Sequence, residues 1–396
     1  MSLRVSASIA LLAASVAAAE AEPQLRDNAA LKYWQASALL PKDAVEKAER
    51  VRVRPQGPEA AAFVQECSNS LRLLREGAAI RRCDWGLNPD EGPALLLPHM
   101  SKMRQLARVG CAAACVDFER KKHADAVARA FDVLTLSRHV GADGLLIGKL
   151  VEVAIANMAT EVLASYLPAL PPETLQTLSA RLAKLPLSAT FADAIRMEQR
   201  TFGDWFRKRM AATPPAERAK LVNALMGEGA GAEDATSLQA AVADDAKLAE
   251  ALSSLDQHYA ALIAAASAPA AEQKPLLAQL QAKLKTANPL VRLCLPGVTG
   301  CQQSVAAHET RMLMLRAAAD VVVGGPDAVA KHKDPYGDGP FGYRKLEVGF
   351  ELSSALTGRD GAPVKLNVGA PLPVPAPARD EAVFPPRPPP EQPGDF

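Results

Sequence analysis

Apolar residues recur every three or four positions along most of the chain, the period of a helix buried on one face. Residues 28–41 read "NAALKYWQASALLP". Asn28 can cap a short helix there, and Pro41 ends it. A second helix is expected over residues 58–76, with Pro58 suited to its first turn. Residues 83–93, "CDWGLNPDEGP", are crowded with turn formers and predict a loop. A long helix is expected over 95–120, then a tight turn at "KKHADA" and a partner helix to about His139. Together these make an αα-hairpin. The run "LLIGKLVEVAIANMATEVLASYL" continues as a helix over 144–167, apolar on more than one face and so central to the core.

Pro171 and Pro172 open the next helix, which ends near Pro186. Ser188 is expected to cap an amphipathic helix reaching Met210. Its Ile195, Phe202, Trp205, Phe206 and Met210 fall mainly on one side, with Arg196, Arg200, Arg207 and Arg209 beside them. Such a helix can lie in a membrane interface. In a globular domain it turns its aromatics inward and its arginines to water, which is the reading adopted. Residues 227–237, "GEGAGAEDATS", predict a loop, followed by helices over 244–266, 271–285 and 305–323.

The pattern then changes. In "DPYGDGPFGYRKLEVGFELSS", residues 334–354, turn formers precede an alternation of apolar and polar positions. Phe341 and Tyr343 alternate with Gly342 and Arg344, and Gly349 separates them from "FELSS", which predicts a hairpin. So small a sheet does not persist alone in water. It is therefore expected to pack Phe341, Tyr343 and Phe350 on the helix over 305–323, against Met312, Leu313, Leu315 and residues 321–323. Residues 371–396 hold ten prolines and predict an extended tail that buries no core. Its "PPRPPP" also fits a polyproline-II ligand.

Composition agrees with the helical pattern. Apolar residues make up 49% of the chain but aromatics only 5%, so alanine, the best helix former, carries much of the apolar count. The expected fold is mainly α: stacked αα-hairpins or an irregular helical bundle, with a small C-terminal β-hairpin module docked on the last helix. The organisation reads as a leader (1–21), an N-terminal helical domain (22–226), a loop (227–243), a helical segment (244–300), the last helix with the β module (301–369) and the Pro-rich tail (370–396).

The leader, "MSLRVSASIALLAASVAAAEA", has a basic start at Arg4, an uncharged apolar stretch and two small-x-small cleavage sites. It predicts a cleaved signal peptide and a secreted or periplasmic protein. The apolar stretch is shorter than the roughly 20 residues that span a bilayer, and no integral span is expected after cleavage. The net charge of +1 from 45 basic and 44 acidic residues leaves no basic stripe for nucleic acid.

Export raises the question of disulfides for the six cysteines, Cys67, Cys83, Cys111, Cys115, Cys294 and Cys301. Six cysteines allow 15 pairings. The Pro/Gly stretch "LPGVTG" between Cys294 and Cys301 singles out that pair for a bridge. Cys111 and Cys115 lie one helical turn apart, but no nearby pair completes a usual four-ligand metal set. His308-Glu309 lacks the second histidine of a metalloprotease motif. No nucleophile elbow or phosphate loop is present. No catalytic residue, metal or cofactor is assigned. Four residues remain as binding candidates. Asp84 and Trp85 lie in the turn-rich loop, where Trp85 could also simply plug the core. Arg138 and His139 lie at a helix C-terminus, which also favours positive charge for its own sake.

The segment 305–360, with its helix, "DPYGDGPFGYRK", "GFELSS" and "GRDG", resembles the C-terminal part of type II secretion major pseudopilins. In those proteins an Asp-rich loop at this place can bind calcium. Here "LTGRDGAPVK" offers one carboxylate, Asp360, beside Arg359. Calcium takes six to eight oxygen ligands, so the departure argues against it. The pilin methylation signal is also missing. The stretches "AALKYWQA", "CDWG" and "RHVG" are similar to ones in uncharacterised secreted helical proteins of planctomycete-type bacteria, a resemblance that spans most of the chain and implies no activity. The expected function is a protein- or peptide-binding or scaffolding component of the cell envelope, on a concave surface of stacked hairpins. The alternative is an envelope hydrolase whose site no linear motif reveals; converging carboxylates or a Cys/His pair in a deep polar pocket would favour it.

Overall fold

A computed structural model of the chain describes residues 27–226, 232–295 and 298–372. The leader, residues 227–231 and the tail from residue 373 lie outside the described residues. The fold is mainly α with a small antiparallel sheet near the C-terminal end.

The first helices are α1 (Ala29–Ala38), α2 (Ala44–Val53), α3 (Gly57–Glu66) and α4 (Ser68–Ala79). Asn28 caps α1 as expected, accepting from the Ala30 amide. The single helix expected over 58–76 is instead two, broken at Cys67, whose ψ of 4° ends α3. Helix α2 has no strong apolar stripe; only Ala44, Ala48 and Val51 are buried, and a Glu46–Arg50 pair at 2.6 Å supports its exposed side.

Helices α5 (Pro98–Glu119), α6 (His123–Val140) and α7 (Leu146–Tyr166) form the centre. Helix α5 is covered on two sides. Val109, Ala112, Ala113 and Val116 pack with Phe63 and Leu71, while Met103, Cys111 and Cys115 join the main core. Small residues on α5 let its neighbours approach closely, which is what the alanine-rich composition provides.

Helix α8 (Pro172–Ala183) follows α7. The long helix expected from Ser188 is α9 (Phe191–Glu198), a π-helical turn (Gln199–Asp204) and α10 (Trp205–Ala212). Its cap is Thr190, which forms a reciprocal capping box with Asp193, not Ser188. Phe206 and Met210 are buried as expected. Next come α11 (Pro215–Met226), α12 (Ala232–Ala243), α13 (Asp245–Ser267), α14 (Ala270–Leu284), α15 (Pro289–Cys294) and α16 (Val298–Gly324). Helix α12 occupies much of the stretch read as a loop, because its many alanines favour a helix. Helix α16 starts seven residues earlier than the 305 expected, so Thr299 and Gly300 are helical rather than part of a turn.

The sheet has the order β1 (Gly342–Lys345), β2 (Phe350–Thr357), β3 (Pro363–Val368), all antiparallel. Tyr343 pairs with Leu352, Leu352 with Leu366, and Phe350 with Val368. Phe341, Phe350, Leu352, Leu366 and Val368 join the main core with Met314, Leu315 and Val321 of α16. The docking expected for the module is therefore present, though Leu313 and Val323 of the helix are exposed instead. The chain beyond the sheet stays attached for a few residues. Gly369 N donates to Ala164 O at 3.0 Å, Ser165 Oγ donates to Ala370 O at 2.7 Å, and Leu372 packs against the core.

Gly349, between β1 and β2, has φ +73° and no room for a Cβ, which would collide with the Val368 carbonyl. Gly349→Ala should lower stability by about 2 kcal/mol, since the left-handed conformation alone costs an L-residue about 1–2. A thermal melt of the variant checks this; an unchanged midpoint would mean the turn has another accessible shape.

Candidate functional site

Helix α1 positions the turn-rich loop. Asn28 Nδ2 donates to Asp84 O at 2.8 Å, Asp84 N donates to Asn28 Oδ1 at 2.9 Å, and Ala29 N donates to Arg82 O at 2.9 Å. Asp84 turns the chain: its Oδ1 accepts from Gly86 N at 2.9 Å and its Oδ2 pairs with Arg82 at 3.1 Å. The Gly86 amide, then Arg82, holds the Asp84 carboxyl below its ordinary pKa.

Trp85 is fixed from three directions. Its indole N–H donates to His139 O at 2.8 Å, its ring stacks on His99 at 4.5 Å between centroids, and Trp34 meets its edge. His139 shares a 2.8 Å hydrogen bond between Nδ1 and the Tyr33 hydroxyl, while its buried Nε2 has no partner. Burial holds both His99 and His139 at a pKa of about 4, so both rings are neutral near pH 7.

Beside Trp85 is a cavity of about 360 Å³, lined among others by Cys83, Asp84, Trp85, Asp143, Leu145 and Met197. Asp143 closes the 3₁₀ turn Gly141–Asp143 after α6. Gly144 follows at φ +74°, a conformation glycine takes without strain, and this turns the chain into α7. Asp143 Oδ1 accepts from Leu145 N at 3.0 Å. Its Oδ2 is buried without a partner and lies 3.9 Å from His99 Nε2, which is also buried and unpartnered. That separation is too long for a hydrogen bond. Burial, assisted by the charge of Glu152, pushes the Asp143 pKa up to about 6 against the pull of the Leu145 amide.

Behind the cavity wall is a buried charge network. Glu152, fully buried on α7, accepts from Arg138 Nη1 at 2.7 Å, Lys149 Nζ at 3.1 Å and Ser188 Oγ at 2.6 Å. Lys149 Nζ also reaches Ser188 Oγ at 2.5 Å. Gly141 gives Glu152 its space, since a Cβ there would collide with Glu152 Oε2.

The structure thus brings Cys83, Asp84 and Trp85 to one cavity. Arg138 and His139 stand behind it: Arg138 neutralises Glu152 and His139 carries Trp85. Among the described residues no disulfide forms: Cys67, Cys83, Cys111, Cys115 and Cys301 are free thiols. Cys67 packs in a different apolar cluster on α5 from Cys111 and Cys115. The side chain of Cys294 lies outside the described residues, and with it the Cys294–Cys301 pairing; Cys301 sits within α16 and is half-buried. Burial raises the Cys83 thiol to about 12, so it is not a thiolate at neutral pH. No group of three or more His, Cys, Asp or Glu side chains among the described residues is placed to hold a metal ion. No helix among them is long and apolar enough to cross a membrane.

Sequence reasoning missed His99, Asp143, Lys149, Glu152 and Ser188. A signal existed for two of them: Lys149 and Glu152 are charges inside the most apolar part of their helix, and buried charges require partners. Comparisons with known protein families, with characterised proteins and with solved structures found no match to this chain.

Proposed function

We propose that the chain is an exported binding protein that holds a small hydroxyl-bearing molecule in the Trp85–Asp143 cavity. The observation that carries this is the pair of unpartnered buried atoms, His99 Nε2 and Asp143 Oδ2, 3.9 Å apart. A buried polar atom without a partner is costly, and functional sites are where such costs are retained. A hydroxyl group drawn in at the Asp143 wall can donate to its carboxylate and, once between the two side chains, accept from the imidazole N–H of His99, which stacks on Trp85 and is not itself in the lining. A cavity of about 360 Å³ is within the range of small-molecule sites, about 300–1,000 Å³, and the Trp85 ring in its wall offers an apolar surface. A peptide would need a longer groove, so the partner is a small molecule.

The hydrolase alternative has less support. Two carboxylates, Asp84 and Asp143, do line the cavity, but both oxygens of Asp84 are already engaged. Ser188, next to Lys149, donates to Glu152. Cys83 is held as a thiol. Export rests on the leader sequence alone.

Titrating the mature chain with a panel of monosaccharides and linear polyols, read by tryptophan fluorescence and calorimetry, tests the reading. Binding should strengthen as pH rises from 5 to 7, because ionised Asp143 is the better acceptor and its pKa is about 6. Asp143→Asn should flatten that pH profile and weaken binding roughly tenfold, as expected for one hydrogen bond to a charged group. No binding by any member of the panel, or a profile that Asp143→Asn leaves unchanged, overturns the reading.

A further inference from the structure

A second cavity, of about 540 Å³, opens between α7, α16 and the β2–β3 turn. Its polar wall includes Asn157, Arg311, Arg359 and Asp360. Leu150, Val153 and Val364 give it an apolar side. It shares no lining residue with the Trp85 cavity.

Donors exceed acceptors in this wall. Arg311 Nε donates to Lys365 O at 3.3 Å, and among the described residues its terminal nitrogens meet no acceptor. Burial presses the Arg311 pKa down, and Glu161, the carboxylate whose charge opposes this, forms no ion pair with it. Arg359 is held at the rim, with Nε and one terminal nitrogen both donating to Gly300 O, the first at 3.1 Å. The Asn157 oxygen is engaged with His308 Nδ1 at 3.0 Å, which leaves the amide nitrogen as its free end. Asp360 Oδ1 is occupied by Ala362 N at 3.1 Å. Within the lining itself two guanidinium groups face one carboxylate, an excess of one positive charge; Glu161, which acts on Arg311 through its charge, is not among the lining residues. A half-buried guanidinium without a carboxylate is an unfinished pair, and carboxylate is the group its geometry fits best.

We propose that this cavity binds a monocarboxylate with a short apolar body, its carboxylate taken by Arg311 with Arg359 and Asn157 beside it and its body lying on Leu150, Val153 and Val364. The single excess charge selects a monoanion, and the apolar wall selects against a bare inorganic anion.

Calorimetry on the full mature chain tests this with three probes: hexanoate, hexanamide and inorganic phosphate. Hexanoate should bind at least tenfold more tightly than either of the others, a margin of about 1.4 kcal/mol. Arg311→Gln should abolish the preference for hexanoate over hexanamide. Arg359→Gln, at an exposed position that does not threaten the fold, should weaken hexanoate severalfold, and raised salt should weaken it in the parent. Failure of hexanoate to bind at millimolar concentration overturns the proposal. So does phosphate binding as tightly as hexanoate, or hexanoate affinity unchanged in Arg359→Gln and in folded Arg311→Gln. None of these outcomes bears on the Trp85 cavity, whose probes are neutral.

Discussion

Glu152→Ala should destabilise the protein by about 3–5 kcal/mol, the cost typical of removing one partner from a buried ion pair. Glu152 is fully buried and Lys149 nearly so, with 0% and 3% exposure, so the lysine has no route to water once its carboxylate is gone. Ser188 alone then faces the ammonium at 2.5 Å, and Arg138 loses its 2.7 Å contact. In a chain of this size the loss should move the melting midpoint by on the order of 10 °C. The reason is uncompensated charge rather than lost packing, and this can be separated experimentally. Glu152→Leu combined with Lys149→Met removes both charges and should recover most of the loss, because a buried pair exchanged for apolar residues of similar volume is often neutral. If the double variant melts as low as Glu152→Ala, the network is acting through shape and the charge argument fails. Arg138 should behave differently. It is partly exposed, so its guanidinium can reach water when Glu152 is absent.

The cavity and this network were legible in the sequence to unequal degrees. The turn-rich loop identified Asp84 and Trp85 because glycine, proline and a lone tryptophan are local signals. His99 and Asp143 escaped for a physical reason. Each is ordinary in its own segment, one in the first turn of α5 and the other in a glycine-flanked turn. Their meaning arises only when the loop before α5 crosses the end of α6. Lys149 and Glu152 carried a local signal, since two charges interrupt the most apolar part of their helix. Their partners, Arg138 and Ser188, come from a different helix and a loop, and period alone does not place them. The break at Cys67 and the π turn after Glu198 were invisible for a similar reason. In both, tertiary packing decides where a favourable helical sequence pauses. The β module was the reverse case. Alternation, turn residues and the need for a supporting helix are all local facts or size arguments, and they led to the correct partner helix. Leu313 and Val323 were misassigned because a helix pattern gives a stripe, not its exact edge.

The same module provides the second large effect. Phe350→Ala should cost about 3–5 kcal/mol, the range for deleting a buried phenylalanine side chain, which is large against the 5–15 kcal/mol that stabilises a typical domain. Phe350 is 7% exposed and packs in the main core with Met314, Leu315 and Val368. Its ring also meets Tyr343 at 5.4 Å between centroids, so the substitution removes an aromatic contact between β1 and β2 as well as the seal on α16. The module has little else to hold it, because three short strands do not bury enough surface to be stable alone. The loss should therefore show first as local opening. Limited proteolysis should cut between β1 and β3 at temperatures where the parent is intact, ahead of the global melt. Val348→Ala, two residues away on an exposed side chain, is the control and should change stability by less than about 0.5 kcal/mol. Equal protease resistance in Phe350→Ala and Val348→Ala would show that the sheet is held by its backbone hydrogen bonds and its edge contacts to Ala164 rather than by the aromatic face.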